Sequence, residues 1–127
     1  AACRELGVTL LAYSPLAQGV LADAYGVGRP PPGPRAGLPE FAPDRLRAVE
    51  PLVALLRAVG EAHGGRGPEE VALNWLRAKP GVIPVVGATR GEQARRCAAC
   101  LEWSLADDEV ARIDALSAAL QPAEVTG

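Results

Sequence analysis

Only two stretches of this 127-residue sequence have the make-up of buried β-strands: VTLLAY at 8–13 and VIPVV at 82–86. Both are apolar on successive rather than alternate residues, the pattern of strands covered on both faces, as in a parallel sheet. The stretch between them is far too long for a hairpin and carries helical periodicity, which predicts a crossover unit and a parallel pair. Two parallel strands do not make a sheet that stands alone in water, because each presents an unpaired edge of backbone donors and acceptors. The expectation is therefore an α/β fold cut from a larger sheet. The opening AACRELG, read as the last turns of a helix closing at Gly7, and the lack of any methionine agree with a piece of a longer chain.

After Pro43, Leu46, Val49, Leu52, Val53, Leu56 and Val59 recur at helical spacing, and Pro51 inside that pattern predicts a kink or break near Glu50. Gly60, Gly64, Gly65 and Gly67 read as the close of this helix and a turn. Pro68 opens a second helix, with Glu69 and Glu70 at the positive end of its dipole and Val71, Ala72, Trp75 and Leu76 as its buried stripe. Pro84 predicts a weakly paired or bulged position in the second strand. Further helices are expected from about Gly91 and over 107–120, the latter opened by the helix-start charges Asp107, Asp108 and Glu109. Residues 22–43 are too rich in Pro and Gly for regular structure.

A formal net charge of -2 with no basic block argues against a partner in nucleic acid or an anionic membrane. No apolar run is long enough to cross a bilayer, and no cationic leader with an apolar core is visible. Cys3, Cys97 and Cys100 are too few for a disulfide framework. They read as buried thiols in a soluble protein of a reduced, intracellular setting, and the CxxC spacing of the last two within a helix is weak evidence for redox chemistry. His63, in a Gly-rich turn, reads as a solvated loop residue, and Trp75 and Trp103 as packing residues. No metal site is expected.

The two strand ends carry the chemistry. In α/β folds ligands sit beyond the carboxyl ends of the strands. The first strand runs into YSPLAQG and the second into GATRGEQ. In the second, Gly87 lets a ligand approach the backbone, the following helix offers free N–H groups, and Thr89 and Arg90 add a hydroxyl and a fixed positive charge, with Arg96 two turns along. In the first, Tyr13 offers a ring face and Ser14 a hydroxyl. The residues alone leave other readings open: Tyr13 as a core aromatic at a strand end, and Arg90, Gln93 and Arg96 as one solvated helix face.

Three separated segments, GVTLLAYSPLAQGVL, PEEVALNWLRAKPGVIPVVGATRGEQARRC and LEWSLADDEVARIDAL, together resemble the aldo-keto reductases, and among them the plant and algal plastid-type members. The resemblance covers nearly the whole chain as one partial domain, 1–127. It implies the carboxy-terminal part of a (β/α)8 TIM barrel: strands seven and eight, their helices and a closing helix, with the missing amino-terminal part of the same barrel as partner. It also implies NADP(H) bound across the barrel mouth and a small-molecule carbonyl substrate. Tyr13 would then stack on the nicotinamide, Ser14, Pro15, Leu16, Gln18 and Gly19 would line the pyrophosphate and ribose, and Arg35 would clamp the pyrophosphate. Gly87, Ala88, Thr89, Arg90, Gln93, Arg96 and Cys97 would surround the adenosine and its 2′-phosphate.

The chain departs from the family pattern at several of these points. Asp23-Ala24-Tyr25 stands where the family often has glycine, lysine and tyrosine, which removes one phosphate contact and adds a carboxylate. Cys97 replaces a common asparagine at the adenine and Arg96 a frequent glutamate; Arg90 or Arg96 would then preserve a preference for the phosphorylated cofactor. The family's catalytic Asp, Tyr, Lys and His come from strands that would precede Ala1, so no catalytic residue is assigned here. Specificity in the family lies in variable loops, of which Arg35–Phe41 and Gln121–Gly127 are present. Cytoplasm or plastid would be the location. Two rival expectations are a non-catalytic nucleotide-binding barrel or regulatory subunit, and a truncated gene product without activity.

Overall fold

The computed structural model describes residues 2–120; Ala1 and residues 121–127, where the second variable segment was expected, lie outside the described residues. In order come α1 (Ala2–Glu5), β1 (Leu10–Tyr13), α2 (Pro43–Ala62), α3 (Pro68–Arg77), β2 (Val82–Val85), α4 (Gly91–Ala99) and α5 (Asp107–Ala119). α1 closes as the sequence predicts: Gly7 adopts a φ of 65°, and the Val8 N–H donates to the Cys3 carbonyl at 2.7 Å. β1 and β2 pair in parallel, Leu10 opposite Val82 and Tyr13 opposite Val85. Pro84 keeps this register opposite Ala12, so the expected bulge does not form. A pair of strands leaves one edge of β2 without a neighbour, and a missing N–H on that side costs the ladder nothing.

Strands buried on both faces are not what this chain shows. Leu10, Leu11, Tyr13, Ile83 and Val85 are all exposed. The main core draws instead on helices: Leu52, Leu56 and Val59 from α2, Val71 and Ala72 from α3, and Ile113 from α5.

α2 runs unbroken through Pro51. The proline costs about 3 kcal/mol in a helix interior. Leu46, Leu52, Val53 and Leu56, buried on both sides of it, contribute about 1.5–3 kcal/mol each. Packing wins. Gly60 is not the helix end either, but a point of close approach inside α2: a Cβ there would lie 2.0 Å from the Arg66 carbonyl oxygen. The chain reverses just beyond, through Gly64 and Gly65 at φ of 84° and 80°. α3, α4 and α5 begin where the sequence places them.

The long β1–α2 connection is less irregular than its composition suggests. It contains 3₁₀ turns at Ala17–Gly19, Gly33–Gly37 and Pro39–Phe41. Phe41, packed with Val20 and Leu46 in a second small cluster, anchors it. His63 is half-buried and partnered rather than a free loop residue: its Nε2 lies 2.9 Å from both carboxylate oxygens of Glu109, and its ring packs on Trp103 at 4.5 Å. The reason lies at the start of α5. Ala106, the N-cap, has no side-chain acceptor, so Glu109 reaches back to the Ala106 N–H at 2.8 Å and brings its carboxylate under His63. Cys100 is buried and Cys97 half-buried, but Cys3 is exposed, because α1 buries none of its residues. Among the described residues no helix is long and apolar enough to cross a membrane.

Candidate functional site at the carboxyl ends of the strands

Because β1 and β2 are parallel and in register, the segments that follow Tyr13 and Val85 leave the sheet at the same end. The segment after β1 is wound through the left-handed region at Ser14, Ala17 and Gln18, with φ of 49°, 47° and 55°. Each such non-glycine residue stores on the order of 1–2 kcal/mol of strain. Backbone bonds hold the course: the Ala17 N–H donates to Ser14 at 3.0 Å and the Leu21 N–H to Leu16 at 3.1 Å. Strain of this kind persists only where surroundings enforce it, and it gathers at binding segments. Gly19 adopts a φ of 100° that strains any other residue, and a Cβ there would also crowd the Tyr25 ring at 3.0 Å. Arg35 secures the same turn from the proline-rich connection. Its guanidinium donates to the Gln18 carbonyl at 3.1 Å and lies 5.4 Å from the Tyr25 ring centre and 5.6 Å from that of Phe41. Tyr13 itself is 84% exposed.

After β2, the Thr89 N–H and Oγ1 both donate to Gln93 Oε1, at 3.0 and 3.1 Å, which fixes the entry into α4. Arg90 is the N-cap of α4, with extended backbone. Arg90 is exposed and makes no side-chain hydrogen bond or ion pair among the described residues. Gly87 has open space where a Cβ would sit.

A cavity of about 270 Å³ joins the two segments, lined by Leu16 from the first and by Gly87, Gln93, Arg96 and Cys97 from the second, with Ala22, Ala24 and Glu69. Its size is just under that of ordinary ligand pockets, which start at about 300 Å³. Tyr13, Ser14, Pro15, Gln18, Gly19, Arg35, Thr89 and Arg90 do not line it, and Ala88 lines a separate apolar cavity of about 450 Å³ between β2, α3 and α4.

Glu69 was missed as a site residue; at the start of α3 it read only as a dipole charge. Its Oε1 accepts from Arg96 Nη1 at 3.2 Å, a contact between residues 27 apart in sequence that no local pattern signals. Burial pushes the Cys97 thiol up, and the Glu69 carboxylate pushes it further; burial likewise raises Cys100. Both are neutral thiols, which argues against an activated redox pair.

The Asp23 carboxylate is also not free to face a phosphate. Arg29 and Arg57 each approach it to 2.7 Å. Burial raises its carboxyl, but the hydrogen bonds and charges of the two arginines outweigh this and hold it below the usual range. The cavity wall thus combines apolar surface from Leu16 and Cys97 with the paired Arg96 guanidinium and Glu69 carboxylate and the open backbone of Gly87.

The chain matches the family model described as "Aldo/keto reductase family" over residues 1–118. An uncharacterized oxidoreductase of Mycobacterium tuberculosis is 46% identical over 84 residues, covering 66% of this chain and 26% of that protein. A chloroplastic pyridoxal reductase of Arabidopsis thaliana is 33% identical over 112 residues, covering 88% of this chain and 29% of that protein. Among solved structures, a glycerol dehydrogenase of Gluconobacter oxydans superposes with a TM-score of 0.80 at 22% identity, covering 98% of this chain and 39% of that one. The chain therefore spans well under half the length of each of these proteins.

Proposed function

The chain belongs to the aldo/keto reductase family, and from that premise we propose that it is the dinucleotide-holding carboxy-terminal part of a (β/α)8 barrel that reduces carbonyl compounds with NADP(H). The observation that carries this reading is the cavity to which both strand-end segments contribute, Leu16 from one and Gly87, Gln93, Arg96 and Cys97 from the other. Leu16 and Cys97 give a purine an apolar wall, and the start of α4 gives phosphate oxygens free N–H groups and the positive end of a dipole. Arg90, with no carboxylate partner among the described residues, is the cation proposed for the 2′-phosphate. Tyr13 presents its exposed ring to the nicotinamide, and Arg35 holds the turn at Gln18 on which the ribose and pyrophosphate would rest. When bound, the reduced nicotinamide supplies the hydride. The proton donor is proposed to come from strands that precede this segment in the full-length protein, soluble in cytoplasm or plastid. An aldehyde of the pyridoxal type is a fitting first substrate, since one relative is a pyridoxal reductase.

The test is made on the full-length protein. Saturable quenching or enhancement of NADPH fluorescence, with NADPH oxidation on addition of aldehydes including pyridoxal, is the expected result. Binding without oxidation of any carbonyl would replace the enzyme by a nucleotide-binding regulator. Failure to bind either NADPH or NADH would remove the cofactor site altogether.

A further inference from the structure

Among the described residues, Glu69 and Arg96 are the only charged members of the cavity lining. Glu69 sits in the first turn of α3 with its side chain only 13% exposed. It is folded over Gly67, where a Cβ would come within 2.4 Å of its Oε2. A glycine is thus what leaves room for the carboxylate in this wall. Its Oε1 binds Arg96 Nη1 at 3.2 Å, while Arg96 Nη2 lies 3.6 Å from Glu92 Oε1. The Arg96 side chain is 60% exposed and that of Glu92 75% exposed. One guanidinium is therefore shared between two carboxylates, the nearer of them well shielded from solvent and the farther screened by it.

The consequence for a ligand depends on its charge. A phosphate on the adenosine ribose would meet a guanidinium already engaged, with the Glu69 carboxylate behind it. A ribose bearing only hydroxyls meets no repulsion there, and its donors can find an acceptor in Glu69. Arg90 adds attraction that no carboxylate within the described residues offsets.

On the dinucleotide reading above, we infer that Glu69 is a positioning residue that sets how strongly this site discriminates between phosphorylated and unphosphorylated adenosine riboses, acting through its hold on Arg96. Arg90 supplies the constant part of the attraction and the Glu69–Arg96 pair the adjustable part.

Dissociation constants of NADPH and NADH, measured by fluorescence titration on the full-length protein, test this without reliance on turnover. Glu69→Gln keeps the shape over Gly67 and removes the charge. It is expected to tighten NADPH by about two- to five-fold, the range for a partly exposed charge pair, with NADH changing by less, and the gain should shrink as salt is raised. Glu92→Gln should do less, being more exposed. If Glu69 acts through Arg96, the gain disappears in the Glu69→Gln/Arg96→Gln double variant, a coupling that a mere loosening of α3 would not produce. An unchanged NADPH/NADH ratio, equal shifts of both affinities, or a gain that survives loss of Arg96 each overturns the inference while leaving the nucleotide site standing. A wild-type protein that binds neither dinucleotide overturns the site itself, and this role with it.

Discussion

Asp23 shows how a carboxylate on a connecting segment is held by its surroundings. Two arginines, Arg29 and Arg57, take it up on the connection between β1 and α2. With the partners' side chains 57% and 47% exposed, solvent screening limits what the pair contributes. Asp23→Asn is expected to cost about 1 kcal/mol, read as a lower urea midpoint at unchanged slope. Arg90 offers the opposite case, a guanidinium with no partner in the described chain. Arg90→Ala should leave the urea midpoint where it is and weaken NADPH binding several-fold more than NADH, by the loss of about 0.5–1.5 kcal/mol of exposed charge-assisted bonding. At this scale the sequence was legible where chemistry is local, as for Tyr13 at a strand end and Pro68 at a helix start. It was not legible for His63, whose partner Glu109 lies 46 residues on, nor for Glu69, whose partner is Arg96. A side chain that satisfies a distant helix start leaves no periodic mark near itself.

Helix boundaries followed from proline and glycine chemistry, but the interior of α2 did not. There the packing of buried leucines and valines overrode Pro51, and Gly60 served an approach of the backbone rather than a stop. Gly60→Ala separates these two roles. In a solvated helix the change would add roughly 1 kcal/mol of stability. Here the new Cβ would lie 2.0 Å from a carbonyl oxygen, and overpacking of that kind costs about 1–3 kcal/mol or more. Net destabilisation in thermal melts is the expected outcome; an increase in melting temperature would show that the Arg66 turn can move aside. α5 carries a second prediction, in pH. Burial raises the Glu109 carboxyl, but the Ala106 N–H and then His63 outweigh it and hold it low. The hydrogen bond from Lys79, then that from Trp75, holds Asp114 low. These groups stay charged in the folded chain at a pH where the unfolded chain takes up protons. Their stabilisation is therefore complete above the ordinary carboxylate range of about 4 and is lost as pH falls through the lower folded values. Tryptophan fluorescence should follow the loss, since Trp75 donates to Asp114 and Trp103 packs on His63. Asp114→Asn should flatten the acid limb, and an unaltered limb would mean that α5 docks without that bond.

At the scale of the whole molecule, the order of strands and helices and the parallel pairing were written in the hydrophobic pattern, because strand and helix periods differ and two strands far apart in sequence require a crossover. What the pattern could not convey is how much of the strands' apolar surface this chain covers by itself. Leu11, at 61% exposure, and Ile83, at 53%, face water as register partners, and Val86 and Leu101 line an open apolar cavity beside them. Each strand also offers one unpaired backbone edge, and a flat apolar edge of this kind templates pairing with another chain. The 127-residue polypeptide alone is therefore expected to self-associate, with a sedimentation mass above its 13.1 kDa that rises with concentration. Replacing the exposed pair by Leu11→Lys and Ile83→Glu keeps a favourable cross-strand contact while making the face polar, and should shift the population toward monomer. A wild-type monomer at all concentrations, unfolding in one sharp cooperative transition, would mean that the helical core of α2, α3 and α5 suffices and that the bare strands are tolerated.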